Sequence, residues 1–155
     1  MSKACDHTSV GMLVRDGGKL LMIERAKYPF GFAVPAGHVD GDATFEDAAR
    51  RELMEEVGLK SEELSLVFDA RKDNPCRRDG GTWHHWKVYE TSTTGRLAGN
   101  KDETRQARWF STDEIKRLSL KTEKYLRQDI SEDEWRNDPG LEPVMFEIFK
   151  ELHII

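Results

Sequence analysis

GHVDGDATFEDAARRELMEEVGL, Gly37 to Leu59, is the stretch from which the rest of the chain can be read. From Thr44 to Val57 it holds neither glycine nor proline, and Ala, Arg, Glu, Leu and Met dominate. Such side chains lose little freedom in a helix, so the segment is expected to be helical. Thr44 suits the N-cap, where its hydroxyl accepts an amide that has no partner in the helix. Gly58 suits the position just past the end, where the backbone turns left-handed and a Cβ is penalised. At about 100° per residue, Glu56 lies about 40° from Glu52, and Glu55 about 60° to the other side. Three carboxylates therefore share one face over little more than a turn.

That face has two readings. One is a solvated acidic surface laced with salt bridges. It suits Glu55, with Arg51 four residues earlier, and in part Glu56, with Lys60 four residues on but beyond Gly58. It does not suit Glu52, whose helical neighbours at three and four residues are Ala48, Ala49, Glu55 and Glu56. The other reading is a site for a hard divalent cation, which takes clustered carboxylate oxygens and fills its remaining positions with water and substrate phosphates.

Outward from this helix, Val10 to Val14 and Lys19 to Ile23 are apolar runs around Asp16-Gly17-Gly18, the pattern of a β-hairpin. A short strand is expected around Ala33-Val34. Further strands are expected at Leu64 to Phe68, Trp83 to Tyr89 and Ala107 to Phe110. Ser111 and Glu114 form a capping-box pair that opens a helix, and Ser131 with Glu134 repeats it. Pro143 opens a last helix whose apolar face carries Val144, Met145, Ile148, Phe149 and Leu152. Helices packed on a mixed sheet follow from this order. A chain of 155 residues suits one domain.

The residues from Gly37 to Leu59 resemble the Nudix box. Gly37, Arg51, Glu52, Leu53, Glu55, Glu56, Gly58 and Leu59 match its pattern at the required spacing. FGFAVPAG before the box and ARWFSTDEI, Ala107 to Ile115, after it agree, so the resemblance spans most of residues 8–118. One position departs. The first glutamate of the pattern falls on Ala43, and neither Asp42 nor Glu46 sits at the equivalent spacing. In the family that glutamate supports the arginine matched here by Arg51.

The resemblance implies an α/β fold, an α/β/α sandwich with a mixed β-sheet and the Nudix helix at about Thr44–Val57. It implies a single domain over residues 1–155, here with a helical extension from about residue 120. It also implies hydrolysis of a diphosphate linkage in a nucleoside diphosphate derivative, ADP-ribose-like or a nucleoside triphosphate, using Mg²⁺ or Mn²⁺. By carry-over, Glu52 and Glu56 are the main metal ligands, Glu55 is a further ligand or positions water, and the Gly37 carbonyl is a candidate ligand. Arg51 would orient the carboxylates. The general base often lies outside the box, and Glu103 is the candidate, against the plainer reading of a loop acid. The alternative function, favoured by Ala43, is a Nudix domain that binds a nucleotide or metabolite and regulates a partner. A remoter reading, an isomerase on the same fold, needs a reactive Cys76.

Arg25, Arg71, Arg77 and Arg78 are candidate phosphate grips through bidentate hydrogen bonds, against the ordinary reading of solvated arginines. Arg77 and Arg78 lie in NPCRRDGG, a turn expected to be flexible. Phe32, Trp83 and Trp86 are candidates for stacking on a base, although strand aromatics are more often core. His84 and His85 are adjacent on a strand and point to opposite faces, so they do not readily share a metal. Pro75, sixteen residues past Leu59, and PAG before the box are similar to ADP-ribose-type members. Cys5 and Cys76 form no CxxC pair of the zinc kind, and both read as free thiols in a reducing compartment.

A net charge of −5 argues against gripping a nucleic-acid polymer or an anionic membrane by bulk electrostatics. MSKACDHTSVG has no apolar segment of the secretory kind, so a cytoplasmic location is expected. A homodimer is the candidate assembly.

Overall fold

The computed structural model describes residues 3–155. Strands β1 (Thr8–Asp16) and β2 (Lys19–Arg25) form the expected hairpin, with Arg15 opposite Leu20. Gly17 and Gly18 turn it with φ of 57° and 78°, values that suit residues lacking a Cβ. The other edge of β1 pairs in parallel with β6 (His84–Thr94), running from Thr8 opposite His85 to Val14 opposite Thr91. Strand β5 (Lys60–Lys72) lies antiparallel beyond β6. Beside β2 lie β3 (Phe32–Ala33) and β7 (Thr104–Phe110), both antiparallel to it. The two-residue β4 (Ala36–Gly37) pairs with β1. The result is a mixed sheet of seven strands.

Both faces of that sheet are covered, and the period of two along β1 and β2 shows how. Val10, Met12, Val14, Leu21 and Ile23 pack with Ala48, Ala49, Leu53 and Val57 of α1 (Phe45–Val57). Leu13, Leu20 and Met22 point the other way. They meet Met145, Ile148 and Phe149 of α4 (Pro143–Glu151), together with Ile115 of α2 (Thr112–Leu126). This is the α/β/α sandwich the sequence implies. The last helix is part of the core: Met145, Ile148 and Phe149 are completely buried. A short α3 (Glu132–Asn137) links α2 to α4 and buries Trp135.

The caps match their sequence signals. The Thr44 hydroxyl accepts from the Asp47 amide at 3.0 Å, and Gly58 ends α1 at φ 71°. Ser111 and Glu114 form a complete capping box at the start of α2. Strand β5 differs from expectation, running thirteen residues where the apolar alternation marks only Leu64 to Phe68. Two register shifts against β6, at Ser61/Leu64 and Leu66/Phe68, break the alternation, and most of the strand faces solvent. No helix among the described residues is long and apolar enough to cross a membrane.

Candidate active site

The acidic face of α1 forms one wall of a cleft of about 380 Å³. Arg25 at the end of β2, Gly37 in β4, Arg51, Glu52, Glu55 and Glu56 on α1, Arg78 in the β5–β6 loop and Glu103 before β7 all line it. The sheet and α1 meet closely here. A Cβ on Gly37 would fall on the Glu52 carboxyl group, so only glycine lets the β4 backbone lie against that side chain.

Glu56 is 8% exposed, and one Oε accepts from the Ala36 amide at 3.3 Å. Burial first, then the neighbouring Glu52, pushes its carboxyl group well above the usual range, while Arg25 pulls the other way. Glu52 is likewise raised to about 7, chiefly by burial, although the adjacent Arg51 opposes the shift. Glu55 stands at the exposed rim.

Arg51 answers the question that Ala43 raises. Its Nε donates to Asp42 at 2.7 Å, and its Nη2 donates to the His38 carbonyl at 2.9 Å. Its Nη1 donates to Glu52 at 2.8 Å and to Glu55 at 3.2 Å. Asp42, one residue before the expected place, thus holds the arginine. Glu46 is used elsewhere, accepting from the Tyr89 hydroxyl at 2.6 Å. The cation that Glu52 lacks at helical spacing is Arg51, its immediate neighbour.

Two expected substrate contacts do not reach the cleft. Phe32 is a core residue, edge-on to Phe110 at 5.3 Å, because the two-residue β3 turns it toward the α4 layer. Arg71 lies outside the cleft lining, its guanidinium over the Trp83 ring at 4.4 Å and its Nε donating to Asp73. Trp83 also stacks on His7 at 4.1 Å, so its ring is already engaged by two side chains. Trp86 is buried, its indole N–H donating to Asn74 Oδ1 at 3.1 Å.

Arg25 and Arg78 do face the cleft. Arg25 Nε donates to the Pro29 carbonyl at 2.6 Å, which fixes the side chain beside Glu56. Arg78 makes a bidentate pair with Asp40, whose carboxyl group it lowers to about 2. The turn expected to be flexible carries internal hydrogen bonds: Cys76 N–H donates to the Gly81 carbonyl at 2.9 Å, and Gly81 N–H to the Arg78 carbonyl at 3.1 Å. Glu103 reaches the cleft and lies 3.7 Å from Lys27 Nζ.

Two features escape the sequence patterns. Glu142, the residue before α4, is a buried carboxyl group in the cleft wall, raised by burial and opposed only by Arg25. A second hollow of about 230 Å³ adjoins the cleft, sharing Pro29, Asn74, Pro75 and Glu142 with it. Tyr28, Phe30, Tyr125 and Trp135 line it. The last two stack on each other at 4.0 Å. Residues 28 and 30 are aromatic in a loop, the one signal that marked them.

The NUDIX domain family profile matches residues 6–129. The chain belongs to the Nudix family. An ADP-ribose pyrophosphatase of Methanocaldococcus jannaschii is 28% identical over 137 residues, covering 84% of this chain and 76% of that protein. A Caenorhabditis elegans protein bearing a nudix hydrolase name is 25% identical over 130 residues, covering 79% of this chain. This Nudix chain spans about a third (34%) of the length of that relative. A solved NUDIX hydrolase of Nitrosomonas europaea superposes with a TM-score of 0.64 at 19% identity, covering 97% of this chain and 89% of that one. That likeness speaks for the Nudix fold.

Proposed function

We propose that this protein is a metal-dependent hydrolase of the diphosphate linkage in a nucleoside diphosphate derivative, with ADP-ribose-like compounds as the substrate class. The observation that carries the reading is Glu52 and Glu56 side by side in the wall of a cleft, Glu56 buried, Glu52 half-buried and both raised. Among the described residues, the neighbouring cations are Arg51, already shared with Asp42 and Glu55, and Arg25. Buried carboxylates so placed have unspent affinity for a cation. Their oxygen-only donor set suits Mg²⁺ or Mn²⁺.

Glu52 and Glu56 would hold the metal, Glu55 at the rim and the Gly37 carbonyl completing the set. Bound there, a divalent ion would neutralise phosphate charge and acidify water. The chain's own groups do the remaining work. Arg51, locked by Asp42 and the His38 carbonyl, keeps the carboxylates in place. Arg25 and Arg78 present guanidinium groups to phosphate oxygens from two sides of the cleft. Glu103, in the cleft lining, would be the proton acceptor for the attacking water. The aromatic hollow next to the cleft suits a flat apolar group such as a nucleobase. The Methanocaldococcus relative's name supports ADP-ribose within this class.

The rival reading, a nucleotide-binding regulator, drew on Ala43, and Asp42 supplies the support for Arg51 that Ala43 lacks. A panel of ADP-ribose, nucleoside diphosphate sugars and nucleoside triphosphates with Mg²⁺ separates the two. Turnover of at least one compound, lost in Glu56→Gln, supports the hydrolase. Binding without turnover across the panel supports the regulator.

A further inference from the structure

At one side of the cleft, three stretches of the chain bring Cys5, His38 and the pair Cys76 and His84 together, and His38, Cys76 and His84 also line the cleft. One ligand atom from each lies within 4.8 Å of all the others. Cys5 Sγ is 3.4 Å from His84 Nε2 and 3.6 Å from His38 Nε2. With Zn–S near 2.3 Å and Zn–N near 2.05 Å, a tetrahedral ion sets the sulfur–nitrogen edge at about 3.5 Å. The geometry points to a structural zinc site, closed by two thiolates and two imidazoles and separate from the carboxylate site on α1.

The surroundings are those of a ligand set. Asn74 Oδ1 accepts from the Trp86 indole N–H, a group that can only donate, so the Asn74 atom facing His84 is the oxygen. His84 Nδ1, 3.2 Å from that oxygen, therefore carries the proton, and the Nε2 lone pair is free to face Cys5 Sγ. A second residue fixing the tautomer of a ligand histidine is the usual outer support of a metal centre. The His7 amide donates to Cys5 Sγ at 3.3 Å, a bond that favours the thiolate. A Cβ on Gly81 would fall on Cys76 Sγ, so that glycine leaves the sulfur its room. The rings of His38 and His84 are tilted by 63° with centroids 5.4 Å apart, so they approach from different directions.

Soft thiolates with imidazoles in a tetrahedral array select zinc over magnesium or calcium. Four protein ligands leave no open position for substrate, so the role is structural. The ion would tie the segment before β1 and the β5–β6 loop to the residues following β4. The same parts are already joined weakly. Cys5 N–H donates to the Asp79 carbonyl at 2.9 Å. Arg78, two residues past Cys76, pairs with Asp40, two past His38. Zinc would thus hold Arg78 at its place on the cleft wall.

The test uses the whole chain, expressed with zinc present and purified under reducing conditions without chelator. Elemental analysis is expected to give one zinc per chain, retained through desalting and released when the thiols are blocked with a mercurial. Replacement by Co²⁺ is expected to give the intense visible bands of a tetrahedral ion and a thiolate-to-metal charge-transfer band. Cys5→Ser and Cys76→Ser should each lose the metal, while Glu56→Gln, on the other site, should keep one zinc per chain. The cobalt spectrum of the unaltered protein stands whether or not the serine variants fold. Three results overturn the proposal: an intact mass lower by two hydrogens with no metal, which means a Cys5–Cys76 disulfide; a weak octahedral cobalt spectrum; or zinc well below one per chain that desalting removes, an adventitious ion only.

Discussion

Two polar clusters border one cleft, and they are built in opposite ways. Glu52, Glu55 and Glu56 come from little more than one turn of α1. Cys5, His38, Cys76 and His84 come from three stretches of the chain that only the folded sheet brings together. The first cluster is hard, oxygen-only and open to the cleft; the second is sulfur and nitrogen, and its four ligands close on one another. A helix places functional groups by local geometry, whereas the second cluster exists only once β1, β4, β5 and β6 are paired. Chemistry on the carboxylates should therefore leave the second cluster standing, while loss of the second would reach the cleft only through Arg78 and the His38 carbonyl.

The largest expected effect is on hydrolysis. Glu56→Gln keeps the shape of the side chain but removes a charge from the cleft wall, and kcat on the best substrate of the panel should fall by at least about a hundredfold, about 2.7 kcal/mol of barrier. Survival within about tenfold would break the contrast, because the carboxylate face would then not be the reacting centre. Zinc stoichiometry should not move in the same variant.

Next in size is stability. Cys76→Ser should lower the melting temperature by roughly 10 °C, since a structural ion contributes directly to folding free energy. Added Mg²⁺ should not restore it. Restoration by Mg²⁺ would mean that the two clusters are not independent.

Asp42→Ala removes the partner of Arg51 Nε. It should lower kcat by about tenfold, on the order of 1.4 kcal/mol, while leaving the fold intact by circular dichroism. An unchanged kcat would mean that the His38 carbonyl alone holds Arg51.

A fourth expectation concerns pH. In the metal-free protein Glu52 titrates near 7 instead of 4.5. A carboxyl group raised on folding stabilises the fold below its unfolded value, and that stability is lost as pH rises through the folded value. Metal-free protein should therefore lose stability between about pH 4.5 and pH 7, by up to roughly 3 kcal/mol from this group. Glu52→Gln should lessen the slope of that part of the melting profile, leaving the share of Glu56 and Glu142, which burial also raises. Equal slopes in the two proteins would show that burial of Glu52 has no such effect. The smallest effect is expected from Arg71→Ala, which lies outside the cleft and should leave kcat/KM within about twofold.

The pattern of what could be read follows the same division. Helix α1, its Thr44 cap and its Gly58 stop were legible because each signal lies within a few residues. The hairpin of β1 and β2 was legible because strands buried on both faces read as continuous apolar runs on either side of a glycine turn. The full length of β5 was not, because two bulges reset its alternation. Phe32 reads as a stacking candidate from its loop-side position, yet a two-residue strand gives no period from which to tell core from cleft. Arg71 has the right chemistry on the wrong face. Arg78 and Asp40 are 38 residues apart, so their pairing was invisible until the loop was placed. The cysteines carry no zinc spacing, because Cys5 and Cys76 come from distant parts of the chain that meet only when β1 pairs with β6.

Manganese anomalous diffraction from a crystal soaked in Mn²⁺ tests the central claim most directly. The account predicts anomalous density bridging the carboxyl groups of Glu52 and Glu56 in the unaltered protein, and its loss in Glu56→Gln. Carboxyl groups still occupied only by Arg51, with no manganese between them at saturating concentration, would contradict it.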